Sequence, residues 1–384
     1  MVAINGTTSS MRIAFILYKY FPFGGLQRNM VSIAQACLER GHEIQVYTCS
    51  WQGEIPDGFA VEVFDIKSIT NHGRNIKFNA LLKQALKQQP ADLLVGFNKL
   101  PGIDLYYAAD PCFAAKAEQE YGFWYRLTPR VRHALKYEQQ VFDAAGKTHV
   151  MLVSVREQQV FQHYYQTQEE RFHVLPPGIN RDRIAQDNAE QIRRAFRQES
   201  GIGENEKLLI ALGSGFKTKG VDRTLAGLAA LPDSIRQQVR LFVIGQDNPK
   251  PFATTAKSLG IADRVEFFPG RDDVPRILLG ADLLAHPAYR ENTGNVLLEA
   301  MVAGLPVLTT DTCGYAHYVS DAAMGRVIAS PFSQQLFNEQ LLSLLQTPRE
   351  EWQDRGRQFA VSADIYARPQ HAADIIEQLG RERH

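Results

Sequence analysis

The sequence predicts an α/β protein made of two doubly wound parallel-sheet domains. Three observations carry this. The 384 residues are too many for one ordinary hydrophobic core and suit two of middling size. Short apolar runs alternate with helical patterns, as in a parallel sheet covered on both faces. That alternation stops at Leu175-Pro176-Pro177-Gly178, where prolines and a glycine break helix and strand alike, and then starts again.

In chain order, residues 12–17 read as a first buried strand, followed by a Gly24-Gly25 turn and a helix over 26–40 that Gly41 stops. Strands are expected at 43–48 and 93–97, the second entered from a helix ending near Gln89-Pro90. The last strand of this half is placed at 151–154. The charged stretch 182–200 reads as a helix leading into the second half. There, strands are expected at 208–213, 240–245, 265–269, 282–286 and 305–309, with helices over 221–231 and before Gly304. The domains expected are 1–178 and 179–364, with a closing helix near 370–379. Residues 1–10 read as a frayed extension or a misplaced start.

Composition narrows the function classes. Lys plus Arg equals Asp plus Glu at 42 each, which argues against a bulk nucleic-acid binder and confines any basic surface to one locality. No run approaches the roughly 20 apolar residues that span a bilayer, and the N-terminus lacks the pattern of a signal peptide. Cys37, Cys49, Cys112 and Cys313 form no CxxC and no metal-ligand spacing. They read as reduced thiols of a cytosolic protein, although an even count leaves a disulfide open. The G-x-G-x-x-G of a dinucleotide site is absent, which removes a Rossmann dehydrogenase.

The chemistry concentrates in AYRENTGNVLLEAMVAGLPVL, residues 288–308. Gly304 and Pro306 end a helix that starts near Gly294, so Glu291 lies in the loop before it. The first-turn amides of Thr293, Gly294, Asn295 and Val296 make an anion-friendly helix end. Asn295 and Glu299, four apart, share a face, while Leu297, Leu298 and Met301 turn toward the core. Carboxylates at 291 and 299 suit sugar and ribose hydroxyls, because each accepts at both oxygens. Each such bond is worth about 1.5–3 kcal/mol. Two arbitrary glutamates are most simply solvated charges; the surrounding run argues otherwise. Upstream, GSGFKTKG over 213–220 sits between a strand and a helix. Its Lys219 reads either as a solvated side chain or as a compact positive charge for a departing anion.

The 288–308 run resembles the E-x7-E signature of retaining glycosyltransferases of family 4, which have the GT-B architecture: two Rossmann-like doubly wound domains facing a cleft. The resemblance implies that Glu291 holds the donor sugar's hydroxyls, Glu299 the nucleotide's ribose, and Lys219 the diphosphate, with no metal. It also implies that the C-terminal segment 365–384 returns to the first domain. The string LYKYFPFGGLQR (17–28) resembles more narrowly the glucosyltransferases that place the first glucose on the inner-core heptose of bacterial lipopolysaccharide. So do TNHGRN (70–75), GFNKLPGIDLYYAAD (96–110), YRLTPRVRH (125–133), LPPGI (175–179), KGVDR (219–223), FVIGQD (242–247) and CGYAHY (313–318). The likeness therefore covers nearly the whole chain after Met11. It departs at Asn29, where that family has Asp, and at Thr218, where it tends to have Arg. Either Lys217 supplies the second positive charge or donor binding is weaker.

On the acceptor side, Asn98 and Asp110 follow strand-like segments. Asp110 reads equally as a turn cap before Pro111 and as a group that steers, or takes the proton of, an acceptor hydroxyl. Asn29, His72 and Arg74 are further candidates, and paired Gly24-Gly25 allow close backbone approach to the donor. Finally, YGFWYRLTPRVRHALKY (121–137) holds Arg126, Arg130, Arg132 and Lys136, no acidic residue, and five aromatics that include Trp124. It reads either as a helix packed on its own domain or as a patch for the anionic cytoplasmic face of the inner membrane. The function expected is a retaining transfer from UDP-glucose to a core heptose of lipopolysaccharide. Another UDP-sugar, another glycan acceptor, or an inactive sugar-nucleotide-binding membrane protein are its rivals.

Overall fold

The computed structural model describes residues 10–22 and 24–383; most of the polar N-terminal stretch lies outside them. The chain forms two compact units, 1–176 with 367–384, and 177–366. The first carries seven parallel strands: β1 Arg12–Ile16, β2 Glu43–Thr48, β3 Phe59–Val63, β4 Leu93–Gly96, β5 Leu105–Ala108, β6 His149–Leu152 and β7 Phe172–Val174, ordered β3-β2-β1-β4-β5-β6-β7. The second carries six: β8 Lys207–Leu212, β9 Val239–Ile244, β10 Val265–Phe268, β11 Leu283–His286, β12 Val307–Thr310 and β13 Gly325–Ile328, ordered β10-β9-β8-β11-β12-β13. In each sheet the strand order reverses direction beside the first strand, between β1 and β4 and between β8 and β11. A crevice opens there at the carboxyl ends of the strands.

Several expectations are corrected. The strand near 151–154 is not the last of its half, because β7 pairs beyond it. The strands β3, β5 and β13 had not been expected. β3 is an edge strand with one buried residue, and β5 and β13 have only four residues each. The run 182–200 is not one helix. A 3₁₀ turn at Arg181–Arg183 precedes an α-helix confined to Ala189–Glu199. Its arginines are not all solvated either, since burying them organises the second unit.

Arg193 donates to the carbonyls of Leu279, Gly280 and Ala281 and to Asp282 Oδ1 at 2.7 Å. Arg197 meets Asp282 Oδ2 at 3.0 Å and the carbonyls of Gly280, Gly203 and Glu206. Asp282 Oδ2 also accepts the Leu208 amide. One buried carboxylate thus ties the entry of β11 to the start of β8, across the strands whose far ends form the site. Burial alone would raise the Asp282 carboxyl, but the two guanidiniums and the amide outweigh it and hold it below the usual range.

The C-terminal helix Arg368–Arg383 packs on the helix Gly25–Glu39 of the first unit, burying Ala372, Ala373, Ile376 and Leu379. Buried Arg368 donates to the Pro176 carbonyl and the Tyr107 hydroxyl. All four cysteines are free thiols, three of them buried.

Replacing Asp282 by Ala strands two buried guanidiniums, and breaking a buried ionic network of this kind costs about 3–5 kcal/mol. The expected result is a large fall in the urea midpoint of Asp282→Ala; an unfolding free energy within about 0.5 kcal/mol of the parent, an ordinary surface effect, would contradict this assignment.

Candidate functional site

The second unit's crevice is built by two loops that leave β8 and β11, the strands on either side of the reversal. After β8, the Gly213 amide bonds the Ile244 carbonyl and the Phe216 amide bonds Asp247 Oδ2 at 2.7 Å. The FVIGQD run therefore anchors this loop. A Cβ on Gly245 would lie 2.6 Å from the Gly213 carbonyl oxygen, so the close approach needs glycine there. At the far end, Gly220 has φ +75°, and a Cβ on it would lie 2.0 Å from the Pro287 carbonyl oxygen. The loop after β8 is thus seated directly on the loop after β11.

That seating brings Lys219 onto Glu291, with Nζ in contact with Oε2. Both side chains are mostly buried, and burial pulls the Lys219 amine below the usual lysine range. Glu291 is the counter-charge. Its loop is fixed from the other side: the Gly314 amide bonds the Glu291 carbonyl and the Tyr315 amide bonds that of Thr293. A Cβ on Gly314 would lie 2.1 Å from the Asn292 carbonyl oxygen, which accounts for the glycine in CGYAHY.

Gly294 takes a left-handed φ of +89° and caps the helix Asn295–Val302. By helix geometry the amides at its start lack intrahelical partners. Leu297, Leu298 and Met301 are buried in the core, and Asn295 Oδ1 is buried without a hydrogen-bond partner. Glu299, one turn on, lies 3.8 Å from Arg183 Nε.

Two contributors were missed by sequence reasoning. His286 ends β11, is 1% exposed, and places Nε2 3.3 Å from the same Glu291 Oε2 that Lys219 touches. Burial, then the Lys219 charge, drives its pKa from 6.5 down to about 3, so the ring is neutral at physiological pH. The signal available was a polar residue closing an otherwise apolar strand. Arg183 had no local signal, because its partner lies far along the chain.

Other candidates fall elsewhere. Lys217 is exposed and bonded to Asp222 at 2.7 Å and the Tyr289 hydroxyl at 3.2 Å, so it does not join the Lys219–Glu291 group. In the first unit, a Cβ on Gly24 would meet only the ends of the Gln27 and Phe21 side chains, and Gly25 is open, so neither glycine is demanded by a backbone contact within the chain. Asn98 and Asp110 line one pocket at the ends of β4 and β5. Asn98 Oδ1 also accepts the Tyr18 amide at 2.7 Å and so ties β4 to β1. His72 lies in the first turn of the helix Asn71–Gln88, and Arg74 lies over the Tyr18 ring at 5.9 Å. Asn29 is half-buried on the helix Gly25–Glu39 and does not line that pocket.

The segment 121–137 divides. Phe123, Trp124 and Tyr125, on the short helix Phe123–Arg126, are 67%, 81% and 43% exposed. Arg130, Arg132 and Lys136 are exposed on the helix Pro129–Phe142. Arg126 instead donates to the Tyr121 and Glu118 carbonyls, and Tyr137 is buried, so neither belongs to an open patch.

The depressed His286 pKa has a measurable consequence. Between pH 6.5 and about 3 the unfolded chain takes up a proton that the folded chain refuses. Stability present above pH 6.5 is therefore lost as pH falls through that window, at up to about 1.4 kcal/mol per pH unit. His286→Asn should flatten the dependence of the denaturation midpoint on pH over this range; an unchanged slope would contradict a neutral His286.

Comparison with known proteins shows the family to which the chain belongs. The model of the glycosyl transferases group 1 matches residues 192–359, and that of Glycosyltransferase Family 4 matches residues 23–183. The lipopolysaccharide glucosyltransferase WaaG of Escherichia coli K12 is 50% identical over 368 residues, 95% of this chain and 98% of the relative. A crystal structure of WaaG, described as a glycosyltransferase involved in lipopolysaccharide biosynthesis, superposes with a TM-score of 0.88, covering 95% of this chain and 99% of that one. Anabaena HepE in complex with UDP-glucose shares the fold, with a TM-score of 0.73 at 20% identity over 96% of this chain and all of that one. The chain belongs to the glycosyltransferases of group 1 and family 4, in the branch that contains the Escherichia coli lipopolysaccharide glucosyltransferase.

Proposed function

We propose that this transferase moves glucose, with retention of configuration, from UDP-glucose to an inner-core heptose of lipopolysaccharide. The observation that carries the reading is the meeting of Lys219 and Glu291 at the strand-order reversal of the second unit. Half of the residues are shared with a lipopolysaccharide glucosyltransferase over almost the full length of both chains, which supports the choice of substrates.

In this mechanism Lys219 meets the diphosphate and stabilises the negative charge that grows as the sugar–phosphate bond breaks. The amides at the start of Asn295–Val302 add their dipole to the same anion. Glu291 exchanges its lysine partner for the sugar's hydroxyls, with neutral His286 remaining as a hydrogen-bond partner. Glu299, steadied by Arg183, takes the ribose hydroxyls. Positive charge from Lys219 and the helix end fills the role a metal would have, so transfer is read as metal-independent. The acceptor hydroxyl attacks from the face that the diphosphate leaves.

The acceptor is lipid-anchored, and the exposed aromatics Phe123, Trp124 and Tyr125 lie close in sequence to Arg130, Arg132 and Lys136. Rings of this kind beside basic side chains suit the anionic cytoplasmic face of the inner membrane. No helix among the described residues is long and apolar enough to cross a membrane, and the reading is of peripheral attachment.

UDP release with UDP-glucose and purified core acceptor tests the first claim. Lys219→Ala and Glu291→Ala should each lower kcat by about 10²–10³, the scale of losing one preorganised charge partner. Turnover at the parent rate in either variant, or preference for UDP-galactose or UDP-N-acetylglucosamine in competition, would contradict it. Flotation with anionic liposomes tests the second. Combined replacement of Trp124, Arg130, Arg132 and Lys136 by Ala should release the protein from vesicles, whereas unchanged flotation would refute the patch.

A further inference from the structure

Arg223 closes the KGVDR motif that begins at Lys219, and it lies half-buried in the first turn of the helix Val221–Ala229. Its Nη1 donates to the carbonyls of Pro287 and Ala288, at 3.1 and 3.3 Å, in the loop that leaves β11. The guanidinium also lies against two rings, with Cζ 3.6 Å from the centroid of Tyr289 and 3.7 Å from that of Phe332, in the segment that follows β13. The neighbouring carboxylate, Asp222, is turned instead to Lys217 at 2.7 Å and to the Tyr289 hydroxyl at 2.8 Å. Carbonyl dipoles and ring faces therefore surround the cation. A planar guanidinium suits that setting, because it donates at its edge and stacks with its face.

These contacts converge on one short stretch of backbone. The Ala288 carbonyl also accepts the hydroxyls of Thr310 at 2.8 Å and Thr312 at 2.7 Å, from the end of β12 and just beyond it. A carbonyl oxygen has two lone pairs, so three donors saturate it. The next amide, that of Tyr289, donates to the Thr218 carbonyl at 2.8 Å. Arg223 is held in turn, since the Gln334 side-chain amide donates to its carbonyl at 3.1 Å. Glu291 stands three residues beyond Ala288, and the Gly314 and Tyr315 amides hold the far side of its loop. Where Ala288 is fixed therefore decides where the Glu291 carboxylate sits. One side chain spans the two halves of the charge pair: Arg223 belongs to the helix entered from Lys219, and it grips the loop that carries Glu291.

We infer that Arg223 is a positioning residue for sugar transfer, setting the Glu291 carboxylate at the donor sugar through the Pro287 and Ala288 carbonyls. The inference rests on the reading of Glu291 as the partner of that sugar. Arg223→Met keeps the apolar stem and removes the donors, whereas Phe332→Leu keeps the cation and removes one ring; thermal melting reports that each variant is folded. In calorimetric titration Arg223→Met should bind UDP within about twofold of the parent and bind UDP-glucose about tenfold more weakly, the scale of one charge-assisted hydrogen bond. Its kcat/KM should fall by about ten- to hundredfold, as expected when a site group is displaced by up to an ångström. Phe332→Leu should move the same quantities in the same direction by less. In a Glu291→Gln background, adding Arg223→Met should cost no more than about twofold further, because the group it aims is gone. Fully additive losses, or parent affinity for UDP-glucose in Arg223→Met, would overturn the assignment. Amide exchange in the ligand-free protein keeps the test independent of the donor: exchange across 287–291 should quicken about tenfold in Arg223→Met while β8 and β9 stay as in the parent. Unchanged exchange there would also overturn it. Quickened exchange, in a protein whose parent form binds no UDP-glucose, would strike the donor reading and leave Arg223 as the residue that holds the loop.

Discussion

The contact between Lys219 and Glu291 is the constraint on which the second unit's site depends. Neither side chain reaches the other by local sequence. One leaves β8 and the other leaves β11, and their meeting requires the loop after β8 to lie on the Pro287 carbonyl. Gly220 permits that with a positive φ and no Cβ. The pair is mostly shielded from water, where opposite charges attract strongly but cost much to desolvate. A second, uncharged partner on the same carboxylate oxygen eases the balance. His286 serves because it stays neutral: a protonated imidazole beside Lys219 would place two cations on one carboxylate.

The same topological device appears twice and is furnished differently. In the second unit the reversal between β8 and β11 presents an ammonium, carboxylates and a helix start. In the first unit the reversal between β1 and β4 carries a pocket in whose wall Lys99 is held by Glu138. Each sheet is pinned at its amino ends: Asp282 clamps β8 and β11, and Arg383, at the end of the C-terminal helix, donates to the Asp92 carbonyl and to Asp104 Oδ2 just before β4 and β5. Rigid strands then carry loops whose geometry decides the chemistry.

Much of this was legible in the residues. The alternation of apolar runs and helices and the proline break placed the two sheets, and the 288–308 and 213–220 runs singled out Glu291, Glu299 and Lys219 as candidates, because each is a local pattern. What was not legible depends on distance. Arg183 reads as one charge in a charged stretch until Glu299 is beside it. Lys217 was a candidate for a second charge beside Lys219, yet it faces Asp222 and Tyr289 while Lys219 faces Glu291. In the aromatic and basic segment, composition counted Arg126 and Tyr137 with the rest. Only the fold shows that one caps neighbouring carbonyls and the other fills the core. The edge strand β3 was missed because only one of its residues is buried, and β7 because three residues give too little periodicity.

Calorimetric titration of UDP and of UDP-glucose into Glu291→Gln and Glu299→Gln addresses the central claim most directly. With Glu291 on the sugar and Glu299 on the ribose, the first variant should bind UDP as the parent does and lose the added affinity for UDP-glucose. The second should lose affinity for both ligands alike. Equal losses for both ligands in Glu291→Gln, or none in either variant, would contradict the convergence of these groups on one nucleotide sugar.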